Sequence, residues 1–531
     1  MNLIKNNIQF ADTNYFSKIA VDYINKDKKL ENFIQDFPSE KAIENQIKIK
    51  RAAGTDRKLL HGVLTKQYAD IKMSAAVKQN IELLLSENTF TVCTAHQPCI
   101  FTGPLYFIYK ISHAIKLAME CKKLFPACDF VPVFYIGSED NDLAEIGTFF
   151  LDQKKYVWDT LQTGACGRMS TSDLKSITDE VLAVLNENAE DEKWLKELLQ
   201  QAYQTNKTLT DATRILVNGL FEKYGLVVID TDEKKLKEKF TSVLQDELLN
   251  QNSAVLVRKT AEELSENYKV QATARDLNLF YLKDNIRERI EKNNSGWYVN
   301  STEISFTEAE LKEEVNNHPE HFSPNVILRP LYQETILPNV AFIGGGGELA
   351  YWLELKKVFD FYETPYPVIL LRNSFLLIES KVQQSIEKLN ISQADIFMSN
   401  HILYKKLIAD DDKLTALNFK LAEIENSLEQ IERLGAEINI NLAESMKAHK
   451  AKAKRISDRI TQKFIAHIKR SESDKIQQAN KIKSALFPAN SLQERRDNFI
   501  PYFKKYGRKF IDDLIENQPG IESEFVILTE E

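Results

Sequence analysis

Short apolar runs, each followed by apolar positions at three- and four-residue spacing, recur through the middle of the chain. Residues 90–93 read as a buried strand that ends in polar Thr94, His96 and Gln97. The Thr102-Gly103-Pro104 turn follows, with proline where a helix would begin, and then a helix to about residue 123. A second strand at 130–136 closes on Gly137. A third, GLVVID at 225–230, follows a helix over about 209–224, and a fourth at 368–371 follows a helix over 348–361. Continuous apolar strands joined by helices predict a parallel sheet covered on both faces. Polar stretches at about 151–208 and 233–325 read as lobes inserted into this core, the second with a helix near 234–250 and strands near 279–282 and 297–299. Residues 1–88 read as helices with no evident chemistry.

The pattern changes in the last third. Leu414, Leu417, Leu421, Ile424, Leu428 and Ile431 form a heptad seam that fails at Gly435, and residues 438–441 read as a turn. Helical spacing then resumes to about 486. This predicts an antiparallel coiled-coil hairpin with arms at about 412–435 and 442–485, roughly 35 and 65 Å long at 1.5 Å per residue. The longer arm would leave apolar surface uncovered, which points to a second copy of the chain as partner.

Composition narrows the classes. At 531 residues the chain holds two to four domains on a scale of roughly 150 residues each. A net charge of −8 argues against a nucleic-acid coat protein. No apolar run reaches the roughly 20 residues of a membrane helix, and the N-terminal residues lack the apolar stretch of a secretory signal. Five cysteines spread over the chain fit a reducing compartment, and a cytoplasmic location is expected. Cys93, His96 and Cys99 lack the spacing of a zinc site, so no structural metal is expected.

Candidate chemistry gathers where strands end. His96 and Gln97 leave the first strand, and the turn Glu139-Asp140-Asn141-Asp142 follows the second, placing three carboxylates where an ammonium group or Mg²⁺ would bind. Arg329, with Gln333 nearby, offers a fork donor for a carboxylate or phosphate. Gly344, Gly345, Gly346 and Gly347 expose bare backbone before a helix that carries Glu348, Tyr351 and Trp352. No Lys-Ser/Thr follows, so this is not a P-loop. Gly345-x-Gly347-x-x-Ala350 fits a dinucleotide fingerprint, but the next strand ends in Arg372-Asn373-Ser374 and not in a ribose-binding acid. An NADP-dependent oxidoreductase with Arg372 reading a phosphate, and a non-catalytic coiled-coil nucleotide-binding scaffold, are the alternatives this leaves.

Taken together, FTGPLYFIYK at 101–110, PVFYIGSEDNDLAEI at 132–146, YGLVVIDTD at 224–232, the long stretch at 327–359, LLRNS at 370–374 and LFPANSLQERRDNFIPYFKKYG at 486–507 closely resemble the bacillithiol-biosynthesis cysteine-adding enzymes, the BshC family. The resemblance implies an α/β fold: a discontinuous Rossmann-like core over 89–385, similar to class I nucleotidyl transferases and synthetases, with a coiled-coil domain at 386–487 used for dimerisation and a tail at 488–531 packed on the core. It implies a ligase that joins L-cysteine through its carboxylate to the amine of glucosaminyl-malate; because amide formation is uphill in water, ATP or another nucleotide is expected to activate that carboxylate, with Mg²⁺ a candidate helper. On that reading His96, Gln97, Arg372 and Ser374 are catalytic. Thr102, Gly103, Pro104 and Gly344 to Gly347 bind the nucleotide. Glu139, Asp140, Asp142, Arg329, Gln333, Glu348, Tyr351 and Trp352 bind substrate. Two positions depart from the family pattern: Ala95 stands where glycine is common, and Asn141 where the acidic turn usually carries histidine.

Overall fold

In the computed structural model, residues 3–204, 207–407, 412–471 and 473–531 are described. Five parallel strands form the central sheet: β1 (Thr89–His96), β2 (Asp129–Ile136), β3 (Val227–Asp230), β4 (Asn339–Gly344) and β5 (Val368–Leu371), in the spatial order β5-β4-β1-β2-β3. Every residue of β4 is buried, as are all but the ends of β1 and β2. That explains why these strands read as unbroken apolar runs and not as alternating ones. β4 is the strand the sequence pattern did not separate from the glycines that follow it. The register aligns the carboxyl ends: His96 lies opposite Ile136, Ile136 opposite Asp230, and Gly344 opposite Leu371. The chain moves outward from β1 to β3 on one side and returns to build β4 and β5 on the other. The order therefore reverses between β1 and β4, where open α/β sheets form a crevice.

Two further groups of elements leave the central sheet. The first contains a two-stranded ribbon, Thr148–Leu151 with Lys154–Val157, and the helices Lys175–Ala183 and Glu190–Ala202. The second contains a five-stranded antiparallel sheet that includes Leu279–Lys283, Ile286–Asn293 and Gly296–Val299. Three local expectations change. The helix after β1 spans Tyr106–Leu124, with Pro104 in the preceding turn. The helix expected over 348–361 is two, Gly346–Trp352 and Lys356–Phe361, because buried Glu354 turns between them to accept the amides of Gln271 and Ala272. The N-terminal segment is not wholly helical: Leu3–Ile8 is a strand, antiparallel to Phe525–Glu530, which in turn runs parallel to Ser374–Ile378. The C-terminal strand thus lies between the start of the chain and the end of the core.

The hairpin forms from Asp412–Ile438 and Ile440–Ser471. Lys450 pairs with Glu429 at 2.9 Å, and Leu414 packs with Ile468, so paired positions sum to a nearly constant value, as antiparallel helices require. The far part of the expected second arm is covered by the core. Its last part, Ser473–Leu486, lies on the main core, where Ile482 and Leu486 are buried and Lys483 donates to the carbonyls of Ile396 and Met398. Length mismatch therefore leaves no surplus seam. Ile424, Ile431, Leu434, Ile438, Ile440 and Ile456 are nevertheless exposed along the hairpin. No helix among the described residues is long and apolar enough to cross a membrane.

His113, on the helix after β1, ties the C-terminal region to the sheet. Its Nε2 lies 2.8 Å from the Gly520 carbonyl, and its Nδ1 accepts the Asn373 amide at 3.4 Å, a tautomer assigned from these partners. Burial pushes its pKa down to about 4, against about 6.5 in an unfolded chain. Between those values only the unfolded state binds the proton, so stability present above pH 6.5 is lost as pH falls, by about 3 kcal/mol at pH 4. Urea midpoints at pH 7 and pH 4.5 check this: His113→Gln is expected to flatten the acid-side slope, and an unchanged slope would count against His113 as its source.

Candidate active site

A cavity of about 570 Å³ opens at the crevice between β1 and β4. Ala95, His96 and Gln97 enter from the end of β1, Glu139 and Asp140 from the turn after β2, Gly345 to Glu348 from the loop after β4, and Arg372 from the end of β5. Arg329 and Tyr351 close one wall, and Arg287 arrives from the second lobe.

Glu348 organises the floor. It accepts the Gly345 amide at 2.8 Å and pairs with the ammonium of Lys110, a fully enclosed lysine that also donates to the Ala95 carbonyl at 2.6 Å. Burial opposes the carboxylate, but Lys110 outweighs it and holds the Glu348 pKa below its usual range. A methyl group added at Gly346 or Gly347 would meet nothing within 4 Å, so these glycines leave open space facing the cavity. His96 is held through Nδ1 by the Gln97 carbonyl at 3.1 Å, with its ring 5.4 Å from that of Tyr106. Burial, helped by Lys110, pushes its pKa down to about 4, so it is neutral near pH 7 with Nε2 as the acceptor nitrogen.

The acidic wall is largely committed. Glu139 pairs with buried Lys237 at 2.5 Å. Asp140 accepts Gln97 at 3.0 Å and the Asn141 amide at 2.7 Å, with Arg287 at 3.7 Å. Glu145, which the sequence pattern did not single out, faces the cavity; burial and then Asp142 raise its pKa. Because Glu139 and Asp140 already have cationic neighbours, this wall does not fit the expected Mg²⁺. The departure at Asn141 has a structural account. Its Oδ1 accepts Arg287 Nη1 at 2.9 Å and its Nδ2 donates to the Arg287 carbonyl, so the side chain docks the second lobe onto the core.

The basic wall differs in one respect. Arg329 donates to Tyr351 Oη at 2.9 Å and to Gln333 Oε1 at 3.2 Å, lies over the Tyr135 ring, and is fixed by neutral groups. Burial opposes its charge, but Tyr351, Tyr135 and Glu348 outweigh that and raise its pKa. Arg372 is instead bidentate to Glu494 at 2.9 and 2.8 Å, which leaves those two nitrogens engaged and not free to read the phosphate of the alternative NADP site. Its Nε is buried beside the cavity without a hydrogen-bond partner.

Several expected site residues do not line the cavity. Thr102, Gly103 and Pro104 belong to a turn used for docking the C-terminal tail: Asn498 donates to the carbonyls of Phe101 and Gly103, and Leu105 donates to Asp497. Gly103 has φ +61° and fits there because a side chain would press on Cys99. Ser374 is fully buried against Glu494, Gln333 lies behind Arg329, and Asp142 caps the helix Leu143–Ile146. Trp352 is enclosed among Phe342, Phe359 and Tyr366, and Gly344 ends β4 inside the sheet. Lys110, Tyr106, Tyr135 and Arg287 line the cavity unanticipated, and Arg495, from the family-like tail at 486–507, lines it as well. A single lysine in the apolar stretch YFIYKISH was a readable signal for Lys110, whereas nothing local marks Arg287.

Comparison with known proteins places this cleft in context. The family description "Bacillithiol biosynthesis BshC, N-terminal Rossmann-like domain" matches residues 3–373, and "Bacillithiol biosynthesis BshC, C-terminal coiled-coil domain" matches residues 375–530. A Flavobacterium johnsoniae protein named "Putative cysteine ligase BshC" is 39% identical over 533 residues, covering 98% of this chain and 99% of its own length. A protein of the same name from Flavobacterium psychrophilum is 38% identical, with 98% of each chain covered. One from Bacillus cereus is 26% identical, covering 94% of this chain and 95% of its own.

Proposed function

The chain belongs to the BshC family of bacillithiol biosynthesis, and from that premise and the cleft's geometry we propose that it is a cysteine ligase that joins the carboxylate of L-cysteine to the amine of glucosaminyl-malate. The observation that carries this reading is one cavity lined by groups of both signs. Arg329, held by neutral partners, suits a carboxylate, and Glu145, which has no cationic partner among the described residues, suits an amine with Asp140 beside it. Amide formation needs both partners held together and the developing charge matched by fixed groups.

A nucleoside triphosphate would supply the activation that makes the amide favourable in water, and open backbone at Gly346 and Gly347 beside the unpartnered Arg372 Nε fits an anionic group there. The chain's own residues do the rest. Asp140 and Glu145 orient the amine toward the acyl carbon. Neutral His96 accepts a hydrogen bond from that amine through Nε2. Arg329 fixes the malyl carboxylate or that of cysteine. As the amine attacks, the C–N bond forms, the bond from the acyl carbon to the activated oxygen breaks, the activating group leaves with that oxygen, and the amine's proton passes to solvent. In this reading the enzyme works in the cytoplasm, in keeping with five free cysteines, and the exposed isoleucines of the hairpin are the contact of a homodimer.

Incubation with cysteine, glucosaminyl-malate and ATP, followed by mass spectrometry of the thiol product, tests the activity. His96→Ala is expected to lower turnover tenfold or more, the effect of about 1.4 kcal/mol on the barrier. Near-normal turnover in that variant removes His96 from the chemistry. Absence of product from the unmodified chain with every nucleoside triphosphate tried overturns the ligase reading.

A further inference from the structure

The cavity does not end at its glycine floor. Beyond Gly346 and Gly347 lies a second hollow, also of about 570 Å³, between the N-terminal residues Tyr15 to Ile19 and the end of a helix in the second lobe, Ser265 to Lys269. Gly346, Gly347 and Arg495 line both hollows. Because neither glycine presents a side chain and neither backbone position has a neighbour within 4 Å of where one would begin, the ridge between the hollows is bare.

The charges of this second hollow are unevenly matched. Lys18 is held by Asp22 at 2.5 Å and lies 4.4 Å from the centre of the Tyr268 ring. Lys269 and Arg495 are exposed and have no carboxylate partner among the described residues. The hydrogen bond Arg495 makes is a long one, 3.4 Å from Nη2 to the Tyr15 carbonyl. Glu266 is the acidic residue on the same wall. On the other side of the ridge, the Arg372 Nε is buried without a partner. Arg495 itself is placed firmly by its neighbours in sequence: Gln493 bonds both the amide and the carbonyl of Leu377, and Glu494 grips Arg372 and Ser374.

We infer that the second hollow is an anion-binding subsite of the cleft, in which Arg495 and Lys269 hold the carboxylate or phosphate end of a ligand that crosses the glycine ridge with its reactive part in the main cavity. An exposed guanidinium at the junction of two hollows, with one weak hydrogen bond, has its fork free for two parallel bonds to such a group. The subsite deepens the ligase reading and rests on it for the choice of substrates, and it adds a residue from beyond the coiled coil to the binding surface.

Isothermal titration of the full chain with malate, glucosaminyl-malate, pyrophosphate and ATP tests it, alongside Arg495→Ala, Arg495→Lys and Arg495→Ala combined with Lys269→Ala. At least one probe is expected to bind Arg495→Ala tenfold or more weakly, with partial recovery in Arg495→Lys and an unchanged melting temperature. Weakening of malate and glucosaminyl-malate identifies the bound group as a carboxylate; weakening of pyrophosphate and ATP identifies a phosphate. If the double variant binds all four probes as the unmodified chain does, or if the unmodified chain binds none of them, the subsite does not exist. The two readings fail separately. Arginine-dependent binding without any thiol product leaves the subsite standing and removes the ligase. Product formed by Arg495→Ala at an unchanged kcat/KM for both substrates removes the subsite alone.

Discussion

Replacing Glu494 by alanine is expected to cost the fold about 3–5 kcal/mol, the range for breaking a buried ion pair from one side. The carboxylate receives two bonds from Arg372, at 2.9 and 2.8 Å, and one from Ser374 at 3.1 Å. Arg372 is 7% exposed and Glu494 and Ser374 are fully buried, so no water replaces what is lost. The guanidinium left behind keeps one bond to the Asn373 carbonyl. Urea or thermal unfolding of the variant measures the effect, and Glu494→Gln, which preserves shape and one acceptor oxygen, should fall between the two. A loss below about 1 kcal/mol would mean that Arg372 finds another partner and that the pair is not what binds the C-terminal segment to the core. Since that segment carries Arg495 to the cleft, the variant should also weaken ligand binding.

Gly347→Leu is expected to do the reverse: leave stability equal or raised by up to about 1 kcal/mol, while kcat/KM falls tenfold or more. Gly347 lies in the helix Gly346–Trp352, where leucine is the better helix former, and nothing lies within 4 Å of its would-be side chain. The open space there is the cavity itself, and a leucine side chain would occupy it. Paired melting curves and product assays decide the matter. Full activity in this variant would show that ligands do not lie against the glycine ridge, which would undermine both the proposed use of the ridge and the subsite beyond it.

How far the sequence could be read follows from the range of the interactions involved. Strand ends, helix periods and the heptad seam are written in residues a few positions apart, so β1, β2, β3, β5 and the hairpin were legible from local spacing alone. β4 was obscured because its apolar residues run straight into glycine. Leu3–Ile8 was obscured because a strand at the edge of a sheet, with its partner more than 500 positions away at Phe525–Glu530, carries a weak alternating pattern. The same limit governed the site. Residues that end strands, such as His96, Asp140 and the glycines, were identifiable, since parallel strands in register must bring their carboxyl ends together.

What the chain determined by itself is therefore the layered α/β core, the helical hairpin and the edge of the sheet where chemistry would gather, each a consequence of short-range periodicity. Which polar side chains face the cavity was decided only by tertiary pairing. Glu494 takes two of the three Arg372 nitrogens, Asn498 occupies the carbonyls of the Thr102–Pro104 turn, Lys237 neutralises Glu139, and Arg329 alone among these is fixed by uncharged groups, with no carboxylate partner among the described residues. Buried charges must find partners wherever the fold brings them, and sequence separation does not constrain that choice.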